Sequence, residues 1–540
     1  AGGTQRAPRL FGWAHAVDMA AGCKTVSAED ALGVGAIDQI ADDLDAAAKS
    51  FVPKSMTPVS QRSAPPLDAA WMAAEALKIE RQSKGAGGPS ENIDALTWAT
   101  LPFVEGQKKE RARHLELRQS EESRALRHVF FSERAVARPA LIQNAGPRPL
   151  HQIAVVGGGL MGAGIAAACL AVGYKVVLIE RSVEAANGAR DRVSELIGGA
   201  LRRGKIDQPR HDAQLAAFTV DSSYAGAADA ELAIEAVFED IAVKKDVFSA
   251  LAETLPQDAI LATNTSYLDP QDIFEGIVSP ERCLGLHFFS PAHIMRLMEI
   301  IHLPQTAEGT IATGFNLAKR LRKVAVLSGI CDGFIGNRML AAYRRAAEYM
   351  LADGALPQDI DAAMRGFGMA MGPFEAQDMS GLQIAEANRR RQDATRDIAE
   401  RYVTISDELC ALGRHGRRSG KGWYRYDVGD GKPRVDPEVT AVIEAYSEAQ
   451  GIERRTFSKR EIQDQLLAVL ANEGAQIVAE GIAESEGAVD VVKIHGYGFP
   501  RWRGGPMQTA RAMGDARIKS ALDALSNASP HSWNRAPGFR

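Results

Sequence analysis

The sequence predicts an α/β domain with a doubly wound, mainly parallel sheet, followed by two similar all-helical modules. Three observations carry this reading. Strand-like runs at 153–156, 175–180, 231–235, 259–262, 283–288 and 324–328 alternate with helical segments, which is the rhythm of βαβ units. After Gly329 the pattern turns helical to the end. Within that helical part, Gly354…Ile360-Asp361…Gly366-Phe367-Gly368…Gly372-Pro373-Phe374 returns as Gly481…Val489-Asp490…Gly496-Tyr497-Gly498…Gly505-Pro506-Met507.

Taken in order, residues 1 to about 50 alternate short helical and strand-like pieces. Ser27-Ala28-Glu29-Asp30 reads as a capped helix start, with an acid three residues past the cap. A Pro- and Ser-rich stretch at 51–66 and a loop at 84–90 follow. Between 106 and 136 a charged segment places Leu115, Leu117, Leu126, Val129 and Phe130 on helical spacing, as a solvated connector helix would. Pro139, Pro147 and Pro149 mark a boundary, and Gly429-Asp430-Gly431-Lys432-Pro433 marks a linker between the repeated modules. The expected domains are 1–50, a helical connector 51–150, the sheet domain 151–329, and helical modules 330–428 and 455–540.

A chain of 540 residues is too long for a single core. Its net charge of -5 lacks the basic footprint of a nucleic-acid binder. Five cysteines without a C-x-x-C pair fit reduced thiols in a cytoplasmic protein and give neither a disulfide framework nor a zinc site. No run of eighteen apolar residues offers a membrane span, and no signal peptide or C-terminal peroxisomal S-K-L address is present. The chain opens at Ala1 without methionine, which is expected of an N-terminally truncated fragment.

At the start of the sheet domain, Ile153-Ala154-Val155-Val156 runs into Gly157-Gly158-Gly159-Leu160-Met161-Gly162. Glycines at this spacing, after a strand and before an Ala-rich helix, cradle a dinucleotide pyrophosphate. Gly157 permits the turn, Gly159 lets the backbone approach the phosphates, and Gly162 allows close helix–strand packing. Glu180, ending the second strand, can bind both ribose hydroxyls and repel a 2′-phosphate, which favours NAD. Arg181 beside it is the residue type that accepts a 2′-phosphate, so NADP stays open at this point.

Oxidising a secondary alcohol needs a hydride acceptor and a base. A histidine side chain can accept such a proton near neutral pH and return it in reverse, and His287 stands in Gly285-Leu286-His287-Phe288-Phe289-Ser290-Pro291. Glu299 can reach it if the chain reverses at Ser290-Pro291 and returns as the apolar run 295–301, and a carboxylate there would orient the imidazole. On spacing alone a packed core histidine is the stronger reading, and His293 and His302 compete.

These residues resemble those of the L-3-hydroxyacyl-CoA dehydrogenases. The likeness is greatest to the multifunctional fatty-acid β-oxidation enzymes, such as the bacterial fatty-oxidation complex α subunit and the peroxisomal bifunctional enzyme. It extends through Thr263-Asn264-Thr265-Ser266, Cys331-Asp332-Gly333-Phe334-Ile335-Gly336-Asn337-Arg338 and Gly496-Tyr497-Gly498-Phe499-Pro500. The resemblance implies a Rossmann-type domain using NAD, with His287 as general base and Glu299 as its partner. It places Ser266 and Asn337 on the substrate and a cofactor pair on Glu239 and Lys244, with Gly157, Gly159, Leu160, Met161, Gly162 and Glu180 completing the cofactor site. It implies an acyl-CoA substrate, suggests a thiolase subunit as partner, and assigns the second helical module to packing without catalytic residues. Arg501-Trp502-Arg503 is expected to pack and not to clamp a phosphate.

The segment Ala1-Gly2-Gly3-Thr4-Gln5-Arg6-Ala7-Pro8-Arg9-Leu10 resembles the late part of an enoyl-CoA hydratase (crotonase-like) domain. In that family the catalytic glutamates lie upstream, so hydratase activity is expected of a longer parent and not of this fragment, whose hydratase helices should lack most of their core. The expected activity is NAD-dependent oxidation of L-3-hydroxyacyl-CoA. The alternatives are a hydroxy-acid dehydrogenase acting without CoA and a catalytically impaired scaffold of the β-oxidation complex.

Overall fold

The computed structural model describes residues 2–52, 57–427 and 429–539. Ala1, residues 53–56 of the Pro- and Ser-rich stretch, Val428 and Arg540 lie outside the described residues. The chain divides into two compact units, Ala1–Arg127 and His128–Arg540.

In the first unit the expected strand-like pieces before residue 50 are helices: Gly3–Ala20, Ala28–Gly33 and Leu44–Ser50. The apolar residues here lack the strict alternation of a half-buried strand, and local capping decides the matter. The Ser27 hydroxyl accepts from the Asp30 amide, as the sequence predicts, and the Asp43 carboxylate accepts from Ala46. In line with the expected loss of core, Ala28–Gly33 and Leu44–Ser50 bury almost nothing and leave Leu32, Val34, Ile37, Ile40 and Leu44 exposed. Trp13 and Val17 of the first helix still form one buried cluster with Met72, Ile79, Ile93 and Leu96. The Trp13 indole donates to the Pro65 carbonyl at 3.0 Å, which satisfies its polar end.

The charged segment at 106–136, read as one helix, is two, Phe103–Arg118 and Glu121–Val136, and the division between the units falls within the second. The break comes at Ser120, whose hydroxyl accepts from the Ser123 amide and starts the new helix. Leu115, Leu126 and Phe130 are exposed and Val129 is buried, so the apolar spacing is only partly a packing face.

The second unit begins with an eight-stranded sheet. Its strands are β1 (Gln152–Val156), β2 (Lys175–Ile179), β3 (Phe218–Asp221), β4 (Leu232–Glu235), β5 (Ile260–Thr263), β6 (Cys283–Phe288), β7 (Leu297–His302) and β8 (Val324–Ser328). The order is β3-β2-β1-β4-β5-β6-β7-β8, parallel except that β7 runs antiparallel to β6 and carries β8 with it. The strand runs are nearly continuous in apolar residues because both faces are covered. Ile153, Val155, Leu178, Ile234 and Leu286 point to one core, and Ala154, Val156, Val177 and Leu261 to the other.

The helical part follows, with the additional short antiparallel pair Arg425–Tyr426 and Pro433–Arg434. Its central helix, Lys459–Ala479, buries Ile462, Leu466, Leu467, Val469 and Leu470 around most of its circumference. Arg338, at the start of the helix Gly336–Asp353, reaches this central helix and donates to Glu473 and Glu480. The two repeated modules share one apolar core.

Candidate active site

The turn after β1 shows why each glycine stands where it does. Gly157 has φ 94°, a conformation that side chains disfavour. A Cβ on Gly162 would lie 1.8 Å from the Gly157 carbonyl oxygen, so helix Leu160–Ala171 can pack onto the turn only through glycine. Gly159, by contrast, faces open space where a pyrophosphate would approach, at the N-terminus of that helix. Leu160 is exposed and Met161 half-buried at the helix start. Glu180 reaches back to the turn and accepts from the Gly158 amide at 2.7 Å, beside the same site. These residues fit a dinucleotide.

The loop after β5 is built from acids. Glu235, fully buried at the end of β4, accepts from the Thr263 hydroxyl at 2.7 Å and from Lys244 at 2.6 Å. Glu239 accepts from the Thr265 hydroxyl at 2.6 Å and from the Ser266 amide at 2.8 Å, and lies 3.2 Å from Lys244. Burial works to raise the Glu239 carboxyl, but Lys244 and these donors outweigh it and hold it below its ordinary range. Glu239 and Lys244 thus hold the loop that carries Ser266. Sequence reading missed Glu235, although a carboxylate ending the apolar run Leu232-Ala233-Ile234 was its signal.

His287 and Glu299 are directly opposed in the β6–β7 ladder. Both are buried, at 3% and 0% exposure, which makes an unpaired carboxylate untenable. The imidazole Nδ1 lies 2.8 Å from Glu299 Oε2. The other oxygen accepts from the Gly336 amide at 2.9 Å, at the start of helix Gly336–Asp353, so a helix N-terminus completes the solvation of the charge. Ser266 Oγ stands 3.3 Å from His287 Nε2, on the side away from Glu299. The competitors are placed differently. The His293 side chain is largely exposed, and the partial desolvation it does undergo, together with Lys323, Arg203 and Lys205, lowers its pKa, the reverse of a base supported by an acid. His302 closes β7 opposite Leu284.

Asn337, in the first turn of helix Gly336–Asp353, is brought to this group by the turn at 332–335 and follows the Gly336 amide that holds Glu299. Its Oδ1 accepts from the Tyr497 hydroxyl at 2.8 Å. Burial raises the Tyr497 pKa well above its ordinary value, so the hydroxyl keeps its proton and donates. The Phe289 ring lies tilted against His287 at 4.4 Å between centroids and meets Tyr497 edge-on at 5.6 Å. Beside Asn337 and Tyr267 opens a cavity of about 490 Å³, walled also by Arg344, Glu348 and Arg389 of the first helical module. A histidine with one nitrogen on a carboxylate and the other facing a serine can take a proton from an alcohol. Arg501 instead pairs with Glu133, and the Arg503 guanidinium lies over the Phe367 and Trp502 rings, as packing residues would.

Comparison with known proteins bears on the same regions. Residues 152–331 match the family model of the 3-hydroxyacyl-CoA dehydrogenase NAD binding domain, and residues 333–426 that of the 3-hydroxyacyl-CoA dehydrogenase C-terminal domain. The peroxisomal bifunctional enzyme of Danio rerio is 35% identical over 98% of this chain and 77% of its own. The human peroxisomal bifunctional enzyme is 34% identical, over 98% of this chain and 76% of its own. Among solved structures, 3-hydroxybutyryl-CoA dehydrogenase from Escherichia coli aligns with a TM-score of 0.61 at 26% identity, covering 73% of this chain and 97% of that one. The dehydrogenase part of multifunctional enzyme 1 from C. elegans aligns with a TM-score of 0.56 at 26% identity, covering 75% and 94%.

Proposed function

The chain belongs to the multifunctional fatty-acid β-oxidation enzymes and is a 3-hydroxyacyl-CoA dehydrogenase, and from that premise we propose how its residues divide the work. An L-3-hydroxyacyl-CoA is oxidised at C3 to the 3-ketoacyl-CoA. His287 Nε2 takes the hydroxyl proton, while Glu299 on Nδ1 fixes the tautomer and stabilises the imidazolium. Ser266 and Asn337 hydrogen-bond the substrate oxygens and hold C3 in place. NAD, held by 157–162 and Glu180, supplies the hydride acceptor when bound. Glu239 and Lys244 border that site through the loop they hold.

The observation that carries this reading is the His287–Glu299 pair with Ser266 on the other ring nitrogen. The Glu180 carboxylate beside the glycine turn favours NAD over NADP. Reduction of acetoacetyl-CoA, acetoacetate and small 2-keto acids, each with NADH and NADPH, tests it. Turnover restricted to the CoA thioester with NADH is expected. Equal rates with free acids, or with NADPH, would overturn the assignment of substrate or cofactor.

The same proposal extends to a thiolase partner, tested by co-purification. Five free cysteines fit a reducing compartment such as the cytoplasm, although the curated relatives are named as peroxisomal and glyoxysomal. No helix of the described residues is long and apolar enough to cross a membrane.

A further inference from the structure

The second helical module comes closer to the chemistry than packing requires. Helix Glu486–Gly496 ends against the sheet domain, where a Cβ on Gly496 would lie 2.5 Å from the Leu297 side chain, two residues before Glu299. The next residue, Tyr497, packs against Gly336 at the start of helix Gly336–Asp353. A Cβ on Gly336 would fall 2.4 Å from the Tyr497 ring and hydroxyl, so glycine at 336 is what admits this side chain. From there the hydroxyl donates to Asn337 Oδ1 at 2.8 Å. The ring is fixed from other sides too, edge-on to Phe289 at 5.6 Å and with Lys493 Nζ 4.0 Å from its centroid. Tyr497 is therefore held by its neighbours independently of the bond it donates.

We propose that Tyr497 is a positioning residue of the dehydrogenase. Its hydroxyl holds the side-chain oxygen of Asn337 and thereby presents the Asn337 NH2 group, a donor, to the substrate oxygen. An amide has one acceptor end and one donor end. Without a partner on Oδ1 the amide can turn over and offer the substrate an acceptor where it needs a donor. The repeated sequence isolates the feature. In Gly366-Phe367-Gly368, the counterpart of Gly496-Tyr497-Gly498, the ring without a hydroxyl packs edge-on against Phe499 at 5.6 Å. Only the copy that faces Asn337 carries the hydroxyl.

This inference rests on the assignment of Asn337 to substrate, so the test separates the two. Steady-state reduction of acetoacetyl-CoA by NADH is measured for the full chain, His287→Ala, Tyr497→Phe, Asn337→Ala and the double variant. Tyr497→Phe is expected to lower kcat/KM for the thioester about tenfold, the order of one lost positioning hydrogen bond. NADH affinity and melting temperature should stay near those of the parent chain. In the Asn337→Ala background the same substitution should cost less than about twofold, because the two act as a unit.

Equal losses in both backgrounds would overturn the proposal. So would a loss of NADH binding and thermal stability in step with activity, which would assign Tyr497 to packing. If the Phe variant does not fold, Tyr497→Met enters the same cycle. If instead His287→Ala or Asn337→Ala leaves turnover intact, the underlying assignment of the site fails, whatever Tyr497 does.

Discussion

The two helical modules are built on one plan and used differently. In the first, the buried Asp361 carboxylate accepts from the Phe374 and Glu375 amides at 3.0 and 2.9 Å, tying one helix to the start of the next. In the second, Asp490 accepts from the Met507 and Gln508 amides at 2.7 and 3.2 Å. The glycine before each following helix is crowded by its aspartate: a Cβ on Gly372 or Gly505 would lie 2.1 or 2.3 Å from it. The third partner differs, being the Tyr424 hydroxyl for Asp361 and the His128 ring for Asp490. The modules also differ in where their long helices begin. Gly336–Asp353 starts at the buried carboxylate of Glu299, whereas Lys459–Ala479 starts at Ser458, which caps it through the Glu461 amide and contacts no site residue through that bond. A helix N-terminus becomes chemistry only where the fold aims it at a charge.

The two helix starts should respond differently to substitution. Asn337→Ala should lower kcat/KM for acetoacetyl-CoA about a hundredfold, the order for one donor to a developing charge. Arg460→Ala, in the first turn of the second long helix and exposed, should leave turnover within about twofold. Comparable effects would mean that the two helix starts are not functionally distinct.

The aspartates should behave alike. Asp361→Ala and Asp490→Ala each leave two amides without their acceptor, so each should destabilise the fold by about 2 kcal/mol. Thermal melts of the two variants check this, and a neutral result for either would show that its helix junction is held by packing alone.

Much of this asymmetry could not be read in advance. The repeat showed that two modules exist, and the Asp–Gly-Pro spacing marked their shared junction. His287 and Glu299 were legible because the eleven residues between them contain a turn signal and an apolar return strand, and the ladder pairs them. The glycine turn was legible because its constraints are local: a positive φ and a backbone contact. By contrast β3 was missed, because Phe218-Thr219-Val220-Asp221 is a short edge strand with little of it buried. The strand-like pieces near the N-terminus became helices because capping and tertiary burial overrode a weak pattern. The Gly336 amide and the Tyr497 hydroxyl were invisible because each meets its partner across a long stretch of chain, and no local pattern encodes that meeting.

A subtler contrast lies in the aromatic position of each repeat. Phe367→Tyr would bury a hydroxyl beside Phe499, and without a partner it should cost about 1–3 kcal/mol of stability while leaving kcat unchanged. A stable variant would show that the first module also offers a polar partner there.

The smallest expected effect concerns Lys493, which is 2% exposed and whose pKa is pushed down to about 7 by burial and by Arg344, against the attraction of Glu299. A lysine whose folded pKa lies below its unfolded value binds fewer protons in the folded state between the two. Stability therefore rises with pH from about 7 toward its ordinary value near 10.5. Lys493→Met should accordingly raise the melting temperature by a few degrees below pH 7, with the gain shrinking as pH rises. A gain that grew with pH would contradict the sign.

We propose that His287, oriented by Glu299, is the base of a dehydrogenase. This is tested most directly by following NADH oxidation with acetoacetyl-CoA for this chain and for His287→Ala, with NADH binding measured in parallel. The expected result is turnover that the substitution lowers about a thousandfold while NADH still binds, within the range general acid–base groups contribute. Undiminished turnover in the variant would contradict the claim, and NADH binding without turnover in the parent chain would place the scaffold reading ahead of it.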